Sequence, residues 1–168
     1  MNIYEFDDIN IKIVAKFMST LKPEWWDFEG AKSQLRSGFG WYIGISEDQP
    51  LGWILCKNYD IYRTTEIECL GFDDSGLVKI DKELQPLVEK AEEWSIDNGQ
   101  ANIRFIIGSR GLSCHGKDIK VPWKELKDLK CNNRPENDWF LSMGYTPSGI
   151  LSNIYGDRFH GVILIKHI

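Results

Sequence analysis

Apolar and polar residues alternate over NIYEF (2–6), then fall into helical spacing, with Ile13, Val14, Phe17, Met18 and Leu21 on one stripe. A short strand followed by an amphipathic helix is predicted, with Asp7 or Asp8 placed to accept from the first N–H groups. KPEWWDFEG (22–30) is a turn carrying adjacent tryptophans, Trp25 and Trp26, and AKSQLRSG (31–38) is a short helix stopped by Gly38. Three β-rich runs follow: FGWYIGIS (39–46), LGWILCKNY (51–59) and TEIECLGF (65–72). The turn EDQP joins the first two as a hairpin.

A longer helix comes next, with Leu84, Leu87, Val88, Ala91 and Trp94 at i, i+3, i+4, i+7 spacing, closed by Asn98-Gly99. NIRFIIG (102–108) begins three residues later, so strand 65–72, helix and strand 102–108 form a βαβ-like unit. Residues 109–134 are a longer irregular connection, with helical character only at PWKELKDLK. PENDWFLSMG (135–144) has proline at its start, Trp139, Phe140 and Met143 facing inward, and glycine at its end. A last hairpin, ILSNIYG then GVILIK, turns near Gly156-Asp157. No repeat or linker divides the 168 residues, which predicts one α/β domain over 1–168 around a single mixed sheet.

Composition narrows the function. A net charge of −5 argues against nucleic acid as the main partner, and no apolar run approaches a membrane span. The acidic start, MNIYEFDD, lacks a signal-peptide pattern. Cys56, Cys69, Cys114 and Cys131 are too widely spaced for a disulfide or zinc framework, which predicts a reduced, cytoplasmic, metal-free protein.

Two features carry candidate chemistry. The start of the helix near Lys82 gathers unpaired N–H groups and a partial positive charge, suited to an anion. Asp81 there is the competing feature, able to cap the helix with its own carboxylate. Glu66 and Glu68 lie two apart on an internal strand and so share a face. Burial would raise a carboxyl pKa toward that of a useful base. Pairing with Lys or Arg, or exposure at a strand end, is the competing reading.

The order of elements, the run WFLSMGY (139–145) and the helix ending EEWSIDNG resemble the GCN5-related N-acetyltransferase superfamily. The resemblance covers nearly the whole chain and implies that family's fold: a mixed, mostly antiparallel central sheet flanked by helices. It further implies an N-acyltransferase, with acetyl-CoA as acyl donor, no metal, and a small-molecule or peptide primary amine as acceptor. Glu66 is then the first choice for the base, and Glu68 the second. Backbone N–H groups of Leu70, Gly71 or Phe72 would meet the pantetheine arm and the developing oxyanion. Lys79 and Lys82 would face the pyrophosphate, where the family's loop has glycines and this chain, over 77–84, has none. Asn137 matches a helix-start asparagine that touches cofactor in the family. Phe140 stands where the family often has a tyrosine acid, and phenylalanine cannot donate a proton. Trp25 and Trp26 fall in the acceptor segment, where they either stack on an amine or pack as core aromatics. The missing glycines and Phe140 also fit an alternative, a catalytically inactive module of the same fold that binds another ligand or a protein.

Overall fold

The structure, a computed structural model, describes residues 1–73, 79–132 and 135–168, without the side chains of residues 80, 81 and 135–137. The chain forms two compact units, Met1–Ala101 and Asn102–Ile168.

In the first unit, four antiparallel strands lie in the order β1 (Asn2–Glu5), β2 (Phe39–Gly44), β3 (Pro50–Tyr59) and β4 (Thr64–Phe72). Tyr4 stands opposite Tyr42, and their rings stack with centroids 5.1 Å apart. Helix α1 (Asn10–Leu21) starts where Asp7 Oδ1 accepts from the N–H groups of Ile9 and Asn10, at 2.8 and 2.7 Å. Its buried stripe runs through Ile11, Val14, Ala15 and Met18, slightly rotated from the predicted one, which leaves Ile13 and Phe17 part-buried. Those side chains form one core with Ala31 and Leu35 of α2 (Phe28–Arg36), Tyr42 and Trp53. Full burial of a side chain such as Met18 or Leu35 contributes about 2 kcal/mol.

Two local expectations change. Helix α2 begins three residues earlier than the spacing predicts, because Asp27 accepts from the Gly30 N–H at 2.7 Å and caps it. Gly38 does not stop that helix by its conformation. A Cβ there would lie 2.2 Å from the Cys56 carbonyl oxygen, so the glycine permits close approach to β3.

The opposite face of β2 and β3 meets α3 (Gln85–Asp97), which continues from a π-turn at Ile80–Leu84. Leu84, Leu87, Val88 and Ala91 are buried as the spacing predicts, and Trp94 stacks on Phe39 at 3.9 Å. Ser95 joins that stripe, its hydroxyl placed 2.8 Å from Thr65 Oγ1 and 2.6 Å from the Ala91 carbonyl. Gly99, at φ 73°, turns the chain away from the helix.

The second unit is an antiparallel set of β5 (Asn102–Gly108), β7 (Phe159–His167) and β6 (Thr146–Gly156), with β7 in the middle. Helices α4 (Pro122–Lys127) and α5 (Pro135–Ser142) complete it. Phe140 is enclosed by Phe105, Trp139 and Tyr145, at ring separations of 5.0, 4.7 and 5.5 Å. The irregular connection is tied down at several points. Leu112 bridges Cys131, the Ser113 N–H donates to the Lys130 carbonyl, and Arg158 forms a two-pronged ion pair with Asp118. His160, 1% exposed, accepts from the Asn153 N–H at Nδ1 and donates from Nε2 to the Lys117 carbonyl. No helix among the described residues is long and apolar enough to cross a membrane.

Candidate functional site

Strands β3 and β4 fall out of step at one point. Cys56 pairs with Ile67 and Leu55 with Cys69, so Glu68 is an extra residue, a β-bulge. In a regular strand, Cys69 and Gly71 would face away from Glu66 and Glu68. The bulge shifts the phase and brings all four to one face. Glu66 stands opposite Lys57, and Gly71 opposite Trp53. Glu68 reaches Lys57 and Tyr59, while the Trp53 indole N–H donates to Cys69 Sγ at 3.4 Å. Lys57, Tyr59 and Trp53 alternate along β3 and therefore share this face.

The polar end of the face is a cluster of four groups. Lys57 Nζ lies 3.4 Å from Glu68 Oε2, and the Tyr59 hydroxyl donates to Glu68 Oε1 at 3.2 Å. Both oxygens of Glu68 are therefore engaged within the chain. Glu66 is the more buried carboxylate, at 9% exposure. The Tyr59 phenol is pushed above its ordinary pKa by burial and by the charges of Glu68 and Glu66, and it stays protonated at neutral pH. Two carboxylates beside one ammonium suit the cluster to a second cation and its proton.

The apolar end is a row of indoles. Trp26, part-buried, meets Trp53 edge to face at 6.2 Å, and Trp25, 69% exposed, meets Trp26 at 5.6 Å. Trp26 packs against the core, whereas Trp25 leaves a ring free to solvent. Cys69 sits beneath this row, its thiol pushed up to about 11 by burial against the smaller, opposing pull of the Trp53 N–H. Gly71 has a packing cause of its own: a Cβ there would lie 2.3 Å from the Trp53 ring.

At the head of α3, Lys79 and Lys82 are both exposed. The Lys79 N–H donates to Glu83 Oε2 at 2.6 Å, so Glu83 supplies the carboxylate at the helix start. The side chain of Asp81, the expected cap, lies outside the described residues, as do residues 74–78 of the loop before it. The two ammonium groups suit a pyrophosphate, and the Glu83 carboxylate opposes one. Leu70, Gly71 and Phe72 close β4, each part-buried.

Two further candidates lie in the second unit. Phe140 is 3% exposed within the aromatic cluster described above. The side chain of Asn137 is outside the described residues. Among the described residues, no group of three or more His, Cys, Asp or Glu side chains is placed to hold a metal.

Spacing in the sequence missed Lys57, Tyr59 and Trp53. A signal for the first two was present: Lys57 and Tyr59 alternate on the strand that pairs with TEIEC. Glu83, beside Asp81, is visible in the sequence as a carboxylate that opposes a phosphate at the helix start.

No protein-family model and no curated protein sequence matches the chain. Solved structures do. An aminoglycoside 6′-N-acetyltransferase from Enterococcus faecium is similar at a TM-score of 0.83 and 17% identity, over 99% of this chain and 97% of that one. An aminoglycoside 6′-N-acetyltransferase complexed with coenzyme A matches at 0.82 and 18%, over the same shares of the two chains. Ard1 from Thermoplasma volcanium matches at 0.67 and 13%, over 99% of this chain and 97% of that one. At such identities the likeness is one of fold. The chain has the fold of the GCN5-related N-acetyltransferases, a mixed, mostly antiparallel sheet flanked by helices.

Proposed function

We propose that this protein is an acyl-CoA-dependent N-acyltransferase that moves an acetyl group from acetyl-CoA to a primary amine by direct attack. The observation that carries the reading is the shared face of β3 and β4, where two carboxylates stand with an indole row and the bulge at Glu68 adds Cys69 and Gly71, in a fold whose solved examples include acetyltransferases. Bulges of this kind commonly re-aim side chains next to active sites.

Each residue's part follows from its surroundings. Glu66, the more buried carboxylate, takes the proton from the attacking ammonium. Glu68, held by Lys57 and Tyr59, fixes the negative field that draws a cationic acceptor into place. Trp25 offers a ring face to that cation, with Trp26 packed behind it. A backbone N–H at Leu70, Gly71 or Phe72 supplies a donor for the developing oxyanion. Lys79 and Lys82 hold the pyrophosphate of the acyl donor, which supplies the activated thioester carbonyl. Phe140 cannot act as an acid, so the thiolate leaves without a proton from that position. Two solved neighbours are named for acetylating aminoglycosides, which are small polycationic amines, and the acceptor proposed here is of that general kind.

The Glu83 carboxylate at the helix start favours a second reading, a module of this fold that binds something other than coenzyme A and catalyses nothing. An assay separates the two. Purified protein, acetyl-CoA and a panel of mono-, di- and polyamines are followed by release of free thiol. Turnover that falls about a hundredfold or more in Glu66→Gln is expected of the transferase. Absence of thiol release with every amine would favour the binding module.

A further inference from the structure

The cluster on β3 and β4 already contains a primary amine. Lys57 Nζ lies 3.4 Å from Glu68 Oε2, and the two side chains are only 31% and 20% exposed. The lysine pairs at Lys32 and Lys90 are different in kind. The carboxylates facing Lys32 and Lys90, at Glu29 and Glu93, are 74% and 68% exposed. Lys57 also stands opposite Glu66 in register. Its stem is confined as well: a Cβ built on Gly38 would lie 3.2 Å from Lys57 Cγ. The ammonium is thus held by one of the two carboxylates proposed to bind and deprotonate an external amine, on the residue that pairs in register with the other.

We infer that Lys57 is itself an acyl acceptor, an internal stand-in for the amine substrate that is acetylated when no external amine is present. The inference rests on the transferase reading above. The lysine ammonium gives a proton to Glu68, and the free amine forms an N–C bond to the thioester carbonyl carbon. The C–S bond breaks and its electron pair leaves with sulfur. That thiolate takes up one proton, and the second proton lost from nitrogen passes to solvent. The products are an acetamide on Lys57 and the thiol of coenzyme A, with nothing oxidised or reduced. Acetylation removes the lysine's positive charge. Before it, the Lys57 ammonium occupies Glu68; afterwards Glu68 faces the acceptor without that cation. Unmodified Lys57 therefore competes with a cationic substrate, and its acetylation removes the competitor.

The test incubates the full-length protein with isotope-labelled acetyl-CoA and no amine, and follows label at each lysine by peptide mass spectrometry. Lys57 is expected to be labelled about tenfold faster than the exposed Lys12 and Lys90, through the base beside it. Glu68→Gln should bring Lys57 down to their rate. Tyr59→Phe, which removes a hydrogen bond from Glu68 and keeps the carboxylate, should slow it several-fold, and it serves if Glu68→Gln folds poorly. Protein acetylated at Lys57 should show a lower KM for 1,4-diaminobutane, a change that non-specific surface labelling would not produce. Labelling of Lys57 no faster than Lys12 and Lys90, in protein that binds coenzyme A and acetylates added amine, overturns the inference and leaves the transferase reading intact. Protein that binds no coenzyme A overturns both.

Discussion

The backbone N–H of Lys79 donates to the carboxylate of Glu83 over 2.6 Å, so the helix start that would face a phosphate carries an anion of its own. A helix start stabilises one negative group well, and a second must share its donors and its field. Glu83→Gln should therefore tighten coenzyme A binding about fivefold, matching roughly 1 kcal/mol of relieved repulsion. The same change weakens a capping contact and should lower stability by about 0.5–1 kcal/mol. Calorimetric titration and thermal unfolding of the variant read the two effects separately. Unchanged affinity would place the phosphate elsewhere.

The indole of Trp53 leaves no room at Gly71. A methyl group there would stand 2.3 Å from ring carbons on the same face, and the ring is held by Trp26 and Phe17. Gly71→Ala should cost about 1–3 kcal/mol, as overpacking does. Equilibrium unfolding in urea gives the value, and a cost near zero would mean that the ring moves aside freely.

The burial of Cys69 sets a pH dependence. Its thiol is pushed up to about 11 from an ordinary 9.0, so the folded protein keeps the proton that the unfolded chain loses first. The stabilisation this provides is fully present below about pH 9 and is lost as pH rises through about 11. Alkylation of Cys69 by iodoacetamide should accordingly be slow at pH 8 and accelerate steeply above pH 10. A Cys69→Ser variant should lose part of the alkaline decline in stability. Rapid alkylation at neutral pH would contradict the burial.

His160 ties the second unit together through both ring nitrogens. Nδ1 accepts from Asn153, whose φ of 58° needs such support, and Nε2 donates to Lys117 in the irregular connection. His160→Ala should cost about 2–4 kcal/mol by emptying the space of a buried ring and removing both of its hydrogen bonds. Hydrogen exchange should show the loss concentrated near 117 and 153, with the first unit much less affected.

Much of the fold was legible because its elements follow strong periodicities. The strands 39–46, 51–59 and 65–72, the helix ending at Asn98-Gly99 and the terminal hairpin all appear close to where spacing and turn residues place them. Helix α2 was misplaced because its start depends on one side chain, Asp27, closing on Gly30. The candidate carboxylates were visible as strand residues, and their company was not. The bulge at Glu68 comes from register between two strands, which composition does not encode, and it decides that Cys69 and Gly71 join Glu66 and Glu68. Ser95 escaped for a different reason: a polar residue on an apolar stripe looks like an interruption until its partner, Thr65, is known. The anion at the helix start was anticipated in kind, as a carboxylate competing with phosphate, and the structure supplies Glu83 for that role.

Whether the helix start holds a phosphate is the question on which the transferase reading turns. Isothermal titration of the intact protein with coenzyme A, repeated with Lys79→Glu combined with Lys82→Glu, addresses it directly. The expected result is saturable binding by the native chain that weakens about tenfold or more when both lysines are reversed, since each lost charge contact to an anion is worth about 1 kcal/mol or more. Absence of binding at millimolar coenzyme A, or binding indifferent to the reversal, would contradict the assignment of Lys79 and Lys82 to the acyl donor.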